Sequence, residues 1–257
     1  MDLKILNKQE NKVNFLIKGT DPAYMNTLRR IMATEVPVTA IKSVTFTKNT
    51  SALYDEMLAL RLGLVPLTTD LKSYTLPAQC TCKGAGCAKC QVSATLKAEG
   101  PITVYASDLK FQDPKINPVY DKIPIIKLLK GQELEFEALA TLGLAKDHAK
   151  FSPCLVYYRG YPEFIVNKKT KAKEAIKECD DLLKEKGDTV EITDYSKWNE
   201  HYEQICEEHD IEIKNSEKDF ILTIESWGKL SAEEIFLAAL DVFDEKLEDF
   251  SSQLKKL

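Results

Sequence analysis

The segment Cys80-Thr-Cys82-Lys-Gly-Ala-Gly-Cys87-Ala-Lys-Cys90 gathers four thiols into one short loop, and it constrains the chain more than any other feature. Gly84 and Gly86 stand between the two cysteine pairs, where the backbone must turn back on itself. Zinc takes four ligands in a tetrahedron, and four thiolates make a closed site with no position left for a substrate. The Cys87-x-x-Cys90 half has the usual knuckle spacing; the Cys80-x-Cys82 half is tighter but sterically accessible across a turn. Lys83 and Lys89 would offset the net negative charge of a zinc tetrathiolate. Three other readings compete. Four reduced thiols packed this closely without metal would be an oxidation hazard. An iron–sulfur cluster uses the same set of four cysteines. A catalytic zinc keeps an open position and usually recruits histidine or carboxylate, yet His148, His201 and His209 all lie far from the loop in sequence. One structural zinc ion held by Cys80, Cys82, Cys87 and Cys90 is the favoured reading.

The setting fits reduced thiols. Met1-Asp-Leu-Lys-Ile5 lacks the apolar core of a signal peptide, and no apolar run approaches the roughly 18–20 residues that span a bilayer. The expectation is a cytoplasmic chain with no membrane partner, in which metal or simple burial accounts for cysteines better than disulfides do. Cys154, Cys179 and Cys206 are scattered, and Cys179 falls on the apolar face of a predicted helix, as a buried structural thiol would. A net charge of −5 with no long Lys/Arg run disfavours autonomous nucleic-acid binding, which needs a basic face. Gly-x-Ser-x-Gly, a P-loop and paired metal-binding aspartates are absent. The histidines, in charged surroundings, read as solvated. On its own residues the chain is a binding or scaffold protein.

A length of 257 residues exceeds what one core usually needs, so two or three subdomains are expected. Val13, Phe15 and Ile17 recur with period two, as in a half-buried strand. Asp21-Pro22 supplies an N-cap and a pre-set first helical residue, Tyr24, Leu28, Ile31 and Met32 share a face, and Pro37 limits the helix. Val44 and Phe46 resume period two. A second helix is expected over about 52–62, carrying Met57, Leu58 and Leu60 before Gly63 and Pro66 break it. From there to about residue 160 the pattern is β-rich and irregular, with Val92, Ala94 and Leu96 alternating, as do Leu134 and Phe136. Residues 168–186 carry Ala175, Ile176, Cys179, Leu182 and Leu183 at helical spacing, and a second charged helix is expected over 196–209. Phe220, Leu222 and Ile224 alternate as a strand up to Gly228. Ser231-Ala-Glu-Glu234 then reads as a capping box opening a long helix with Ile235, Ala239, Val242, Phe243, Leu247, Phe250 and Leu254 along one side.

Several of these segments together resemble the family that comprises the D-type subunit of archaeal RNA polymerase, the third-largest subunit of eukaryotic RNA polymerase II and the bacterial alpha subunit. They are Asn26-Thr-Leu-Arg-Arg-Ile-Met32 with Glu35-Val-Pro37, the run from Asn49 through Tyr54-Asp-Glu-Met to Leu67, the cysteine loop, Ala145-Lys-Asp-His-Ala-Lys-Phe-Ser-Pro153, and the strand and helix from Phe220 onward. Together they carry the resemblance over nearly the whole chain, apart from about residues 165–217. The cysteine loop is foreign to the bacterial pattern, and the length and the insertion after residue 162 lean towards the archaeal form.

The resemblance implies an α+β fold: a discontinuous alpha-subunit-like dimerisation domain (1–50 and 218–257), an inserted β-rich zinc-loop domain (51–164), and a small ferredoxin-like-derived module (165–217). Some archaeal members carry iron–sulfur clusters in that module, but Cys179 and Cys206 are too few for one, so none is expected here. The function implied is a non-catalytic assembly subunit that pairs with a small L-like subunit and then with the large subunits and small N/P-like subunits, meeting nucleic acid only through the assembled complex. Leu28, Ile31, Met32, Ile235, Ala239, Val242 and Phe243 are candidates for the apolar partner contact, although the same stripes would equally cover the chain's own sheet. Arg29 and Arg30 lie beside the stripe, where guanidinium forks suit ionic contacts to a large subunit or a plain solvated face. A eukaryotic subunit shared by polymerases I and III, a stand-alone homodimeric zinc-binding regulator, and an enzyme using the cysteine loop are the other readings.

Overall fold

The computed structural model describes residues 1–166, 169–179, 182–187, 189–195 and 197–256. In chain order the elements are β1 (Asp2–Lys8), β2 (Lys12–Lys18), α1 (Pro22–Thr34), β3 (Val38–Asn49), α2 (Asp55–Leu64), β4 (Gln91–Glu99), β5 (Ile102–Tyr105), β6 (Lys110–Phe111), β7 (Pro124–Leu128) and β8 (Glu133–Gly143). They continue with β9 (Cys154–Val166), α3 (Lys169–Glu178), β10 (Leu183–Lys186), β11 (Thr189–Ile192), α4 (Glu200–Glu208), β12 (Ile211–Ser226) and α5 (Ala232–Leu254). The chain divides into two compact units, Met1–Arg29 with Val156–Glu225 and Arg30–Leu155 with Ser226–Leu257.

The first unit carries a sheet in the order β1-β2-β12-β9. Strand β2 pairs antiparallel with β1 on one side and β12 on the other, with Ile17 opposite Phe220 and Phe15 opposite Leu222. Val13 through Ile17 are all buried, so β2 is covered on both faces and is not the half-buried strand that its alternation suggests. Likewise Phe220 through Ile224 are buried without a break. Asp21 caps α1 as expected, its Oδ1 accepting from the Tyr24 amide at 2.9 Å. Met25, which the pattern reading passed over, is as buried as Leu28.

A separate cluster in this unit joins Phe164, Ala175, Cys179, Leu183, Trp198 and Cys206, with Phe164 meeting Trp198 edge-on. Helical spacing misleads here. Helix α3 stops at Glu178, Leu182 closes a turn back to the Cys179 carbonyl, and Leu183 opens a strand. That strand pairs with β11 around Gly187, whose φ of +63° only glycine adopts without strain. Residues Lys168 and Ser196, where the two charged helices were expected to begin, lie outside the described residues. Cys179 is fully buried, in keeping with a structural thiol. His209 is not simply solvated: its ring nitrogens face Glu178 at 2.9 Å and Glu174 at 3.8 Å.

The second unit holds a sheet in the order β3-β8-β4-β6 and a two-stranded β5–β7 ladder, all antiparallel. Val92, Ala94 and Leu96 of β4 face the core with Leu134, Phe136 and Ala138 of β8, so the alternation read from sequence does mark the inner face. Phe46 lies opposite Phe136, ring centroids 5.6 Å apart. Helix α2 begins at Asp55, not near 52, because Asn49 and Ser51 tie residues 49–55 into a turn: Asn49 Nδ2 donates to the Leu53 carbonyl and to Asp55 Oδ1. Leu58, Leu62 and Gly63 are its buried residues, Met57 and Leu60 are exposed, and the helix continues through Gly63. At Gly143 a β-carbon would come within 2.6 Å of the Phe151 ring, so the close approach of these two segments requires glycine. The capping box at the start of α5 is present, with Ser231 Oγ accepting from the Glu234 amide and Glu234 Oε2 accepting from the Ser231 amide.

Candidate metal centre

Between α2 and β4 the chain forms no regular structure, and residues 75–90 are a succession of turns. The Thr75 amide donates to the Lys89 carbonyl at 2.9 Å and closes the loop at its base. Within it the Lys83 amide returns to the Cys80 carbonyl, the Ala85 amide to the Cys82 carbonyl, and the Cys90 amide to the Cys87 carbonyl. Lys83, Gly84 and Gly86 all have positive φ, at 51°, 83° and 92°, which is the reversal that the glycines were expected to serve. Only Cys80 and Cys90 are buried between residues 79 and 90, so apolar packing does little to hold this loop.

The four sulfurs all lie within 4.8 Å of one another. Cys80 and Cys87 stand 3.5 Å apart, Cys82 and Cys90 3.5 Å, and Cys87 and Cys90 3.8 Å. A zinc ion with Zn–S bonds of about 2.3 Å sets its sulfurs at the corners of a tetrahedron with edges of about 3.8 Å. The set therefore fits one tetrahedral ion. The loop's amides also favour charge on sulfur. The Cys82 amide, with the Cys82 thiol, pulls the Cys80 pKa down to about 6. The Cys80 thiol opposes ionisation of Cys82, but the Gly86 and Gly84 amides help outweigh it, and the pKa falls. Burial instead pushes Cys90 up to about 12, so that sulfur needs a cation beside it to ionise. Lys83 and Lys89 are exposed at the rim.

A polar cluster braces the chain leading into the loop. Lys115 Nζ donates to Asp70 Oδ2 at 2.8 Å, Asp70 Oδ1 accepts from the amides of Lys72 and Ser73, and Tyr74 Oη donates to Asp113 Oδ2 at 2.7 Å. Lys115 and then Ser73 hold the Asp70 carboxyl far below the usual carboxylate range. Burial, then the bond to Asp113, raises the Tyr74 phenol. Sequence reading missed this group, since Asp70 and Lys115 are 45 positions apart and carry no motif.

The sequence model described as the RNA polymerase Rpb3/RpoA insert domain matches residues 41–153, a span that contains the cysteine loop and all of the β3-β8-β4-β6 sheet except the first three residues of β3. Along the full chain the similarity is to proteins named DNA-directed RNA polymerase subunit Rpo3. The protein of Methanosphaera stadtmanae is 36% identical over 97% of both chains. That of Pyrococcus furiosus is 38% identical over 100% of this chain and 98% of its own. That of Methanopyrus kandleri is 37% identical over 95% of this chain and 92% of its own. The chain belongs to the Rpo3 family.

For a member of the Rpo3 family the four-cysteine loop is thus part of the insert domain, and the remaining sequence candidates lie on helices α1 and α5. Leu28, Ile31, Met32, Ile235 and Ala239 are buried in the chain's own interior. Val242 and Phe243 are half-buried, and beyond them Leu247, Phe250 and Leu254 are 51%, 61% and 52% exposed. The Arg29 guanidinium is held by Asn26 Oδ1, while Arg30 is exposed. Lys246 on α5 pairs with Glu35. No helix among the described residues is long and apolar enough to cross a membrane.

Proposed function

We propose that this Rpo3-family chain is a non-catalytic assembly subunit of an archaeal DNA-directed RNA polymerase. The observation that carries the reading is the outer face of α5. Phe243, Leu247, Phe250 and Leu254 recur at intervals of four, three and four residues, which is the seam of a helix that pairs with another helix. Three of these large apolar side chains are more than half exposed, far more than an isolated helix end needs, and they form one stripe. The dimerisation domain is proposed as residues 1–50 with 218–257, its partner a small L-like subunit. Large subunits and N/P-like small subunits join that pair, with Arg29 and Arg30 offered to a large subunit. Of the apolar candidates, Val242 and Phe243 keep surface to offer, and the more buried residues set the helices that carry them.

Templated nucleotide addition would then proceed on acidic, metal-binding residues of other chains, and nucleic acid would be met only in the assembled enzyme. The cysteine loop is proposed to bind one structural Zn²⁺ through Cys80, Cys82, Cys87 and Cys90, which would order the insert domain's loop and supply no chemistry. The element order β9-α3-β10-β11-α4-β12 supports a ferredoxin-like origin for residues 165–217. The test is purification of the tagged chain from its own cells with identification of what accompanies it. Near-stoichiometric large subunits and one small partner are expected from the native chain, and loss of the small partner from a Leu247→Glu, Phe250→Glu chain that still melts normally. A native chain recovered alone as a symmetric dimer would favour the homodimeric zinc regulator.

A further inference from the structure

Away from the cysteine loop, a cavity of about 280 Å³ opens in the second unit, walled by Leu64, Pro66, Tyr120, Ser152, Trp227 and the lysines at 150 and 229. Lys229 is only 7% exposed. Its ammonium donates to the Lys150 carbonyl, and the Lys150 ammonium donates to the Ile41 carbonyl at 2.8 Å. Among the described residues neither ammonium has a carboxylate partner, although the chain carries 40 acidic side chains. Burial lowers the Lys229 pKa to about 8, the cost of holding an ammonium there without a counter-charge. Buried charges in folded proteins are ordinarily paired, because desolvation is otherwise uncompensated.

The site is built rigidly. Gly228, at φ +82°, packs so closely on Val119 that a β-carbon would meet it at 2.4 Å. Ser226 Oγ accepts from the Gly228 amide and donates to the Leu230 carbonyl, the Trp227 amide donates to Pro153, and the Lys229 carbonyl accepts from Thr69. At the rim Leu64, Tyr120 and Trp227 are 58%, 47% and 42% exposed. A recess with cations at its wall and apolar groups at its mouth fits an acidic side chain or chain end beside an apolar one. A phosphate backbone would need a row of accessible basic groups, whereas the recess offers two lysines, one of them buried.

We propose that this recess receives a carboxylate from another polymerase polypeptide, on a segment whose neighbouring apolar side chain packs on Leu64, Tyr120 and Trp227. The inference rests on the assembly-subunit reading. To test it, the full chain with a benzophenone amino acid at position 120 is assembled into polymerase, irradiated, and the captured peptide sequenced. A second chain carries the same group at position 247 on α5. Capture at position 120 of a peptide with Asp, Glu or a chain end next to an apolar residue is expected. A Lys229→Met chain, which loses a buried charge that has no carboxylate partner together with its bond to the Lys150 carbonyl, is checked for native melting and is expected to hold that polypeptide about 30-fold or more weakly. Capture at 247 but none at 120 overturns the inference and leaves the assembly reading standing. Capture at 120 of nucleic acid, or of a peptide without a carboxylate, overturns it as well. No capture at either position removes both.

Discussion

Replacing Cys87 and Cys90 by serine is expected to melt the cysteine loop and leave the sheet beneath it intact. Ordering the twelve residues from Gln79 to Cys90 costs about 1–1.5 kcal/mol each in backbone entropy, or on the order of 12–18 kcal/mol. Only Cys80 and Cys90 are buried in that stretch, so burial offsets little of this. A structural zinc contributes about 10–16 kcal/mol, which is the size of the deficit. By contrast, β3, β4 and β8 share a core that includes Leu96, Leu134 and Phe136 and has no need of the loop. Limited trypsin digestion reads the difference, because Lys83 and Lys89 are exposed and lie inside the loop. If the local opening free energy falls by even about 3 kcal/mol, the cleavable population rises about 100-fold. The double variant, or the native chain stripped by a chelator, should be cut at both lysines while hydrogen exchange in β4 and β8 stays slow. Native-like resistance at Lys83 and Lys89 in a chain shown to be free of metal would refute the reasoning.

Three further outcomes follow from the packing. Asp70→Asn should cost about 1 kcal/mol at neutral pH, the order expected for a pair whose lysine is largely exposed. Because folding depresses the Asp70 pKa, the native advantage is full above the unfolded carboxylate value and shrinks as pH falls below about 4, so the two denaturation curves should converge in acid; a constant gap would contradict the assignment. Ser231→Ala removes the cap of α5 and should cost about 1 kcal/mol, seen as faster amide exchange in its first turn. Ile235→Ala, at a fully buried position, should cost about 2–5 kcal/mol, whereas Leu247→Ala should leave the melting temperature of the lone chain almost unchanged.

What could be read from the sequence was local. The Asp21 cap, the Ser231 capping box and the reversal at Gly84 and Gly86 each depend on residues within a few positions of one another, and each stands where the pattern puts it. The sulfur cluster was legible for the same reason. Periodicity failed where two patterns coincide over a short stretch: Cys179, Leu182 and Leu183 suit a helical face, but the helix ends at Glu178 and Gly187 folds the next residues into a hairpin. It also understated β2, because alternation marks one face and cannot show that Asn14 and Leu16 are covered on the other. The Asp70–Lys115 pair and the Lys229 recess were invisible, since their members meet only through the fold.

The pairing of β2 with β12 has a consequence for a chain emerging from the ribosome. Ile17 finds Phe220 as its partner, so the residue that pairs with it is made about 200 residues later. At about 5–20 residues per second that interval is about 10–40 s, during which an apolar strand has one edge open. The β3-β8-β4 ladder needs nothing beyond Gly143 and can close while the rest of the chain is still being made. The sheet that holds β2 is therefore the later of the two to close, and until β12 is made Val13, Phe15 and Ile17 lie on a strand with an unpaired edge.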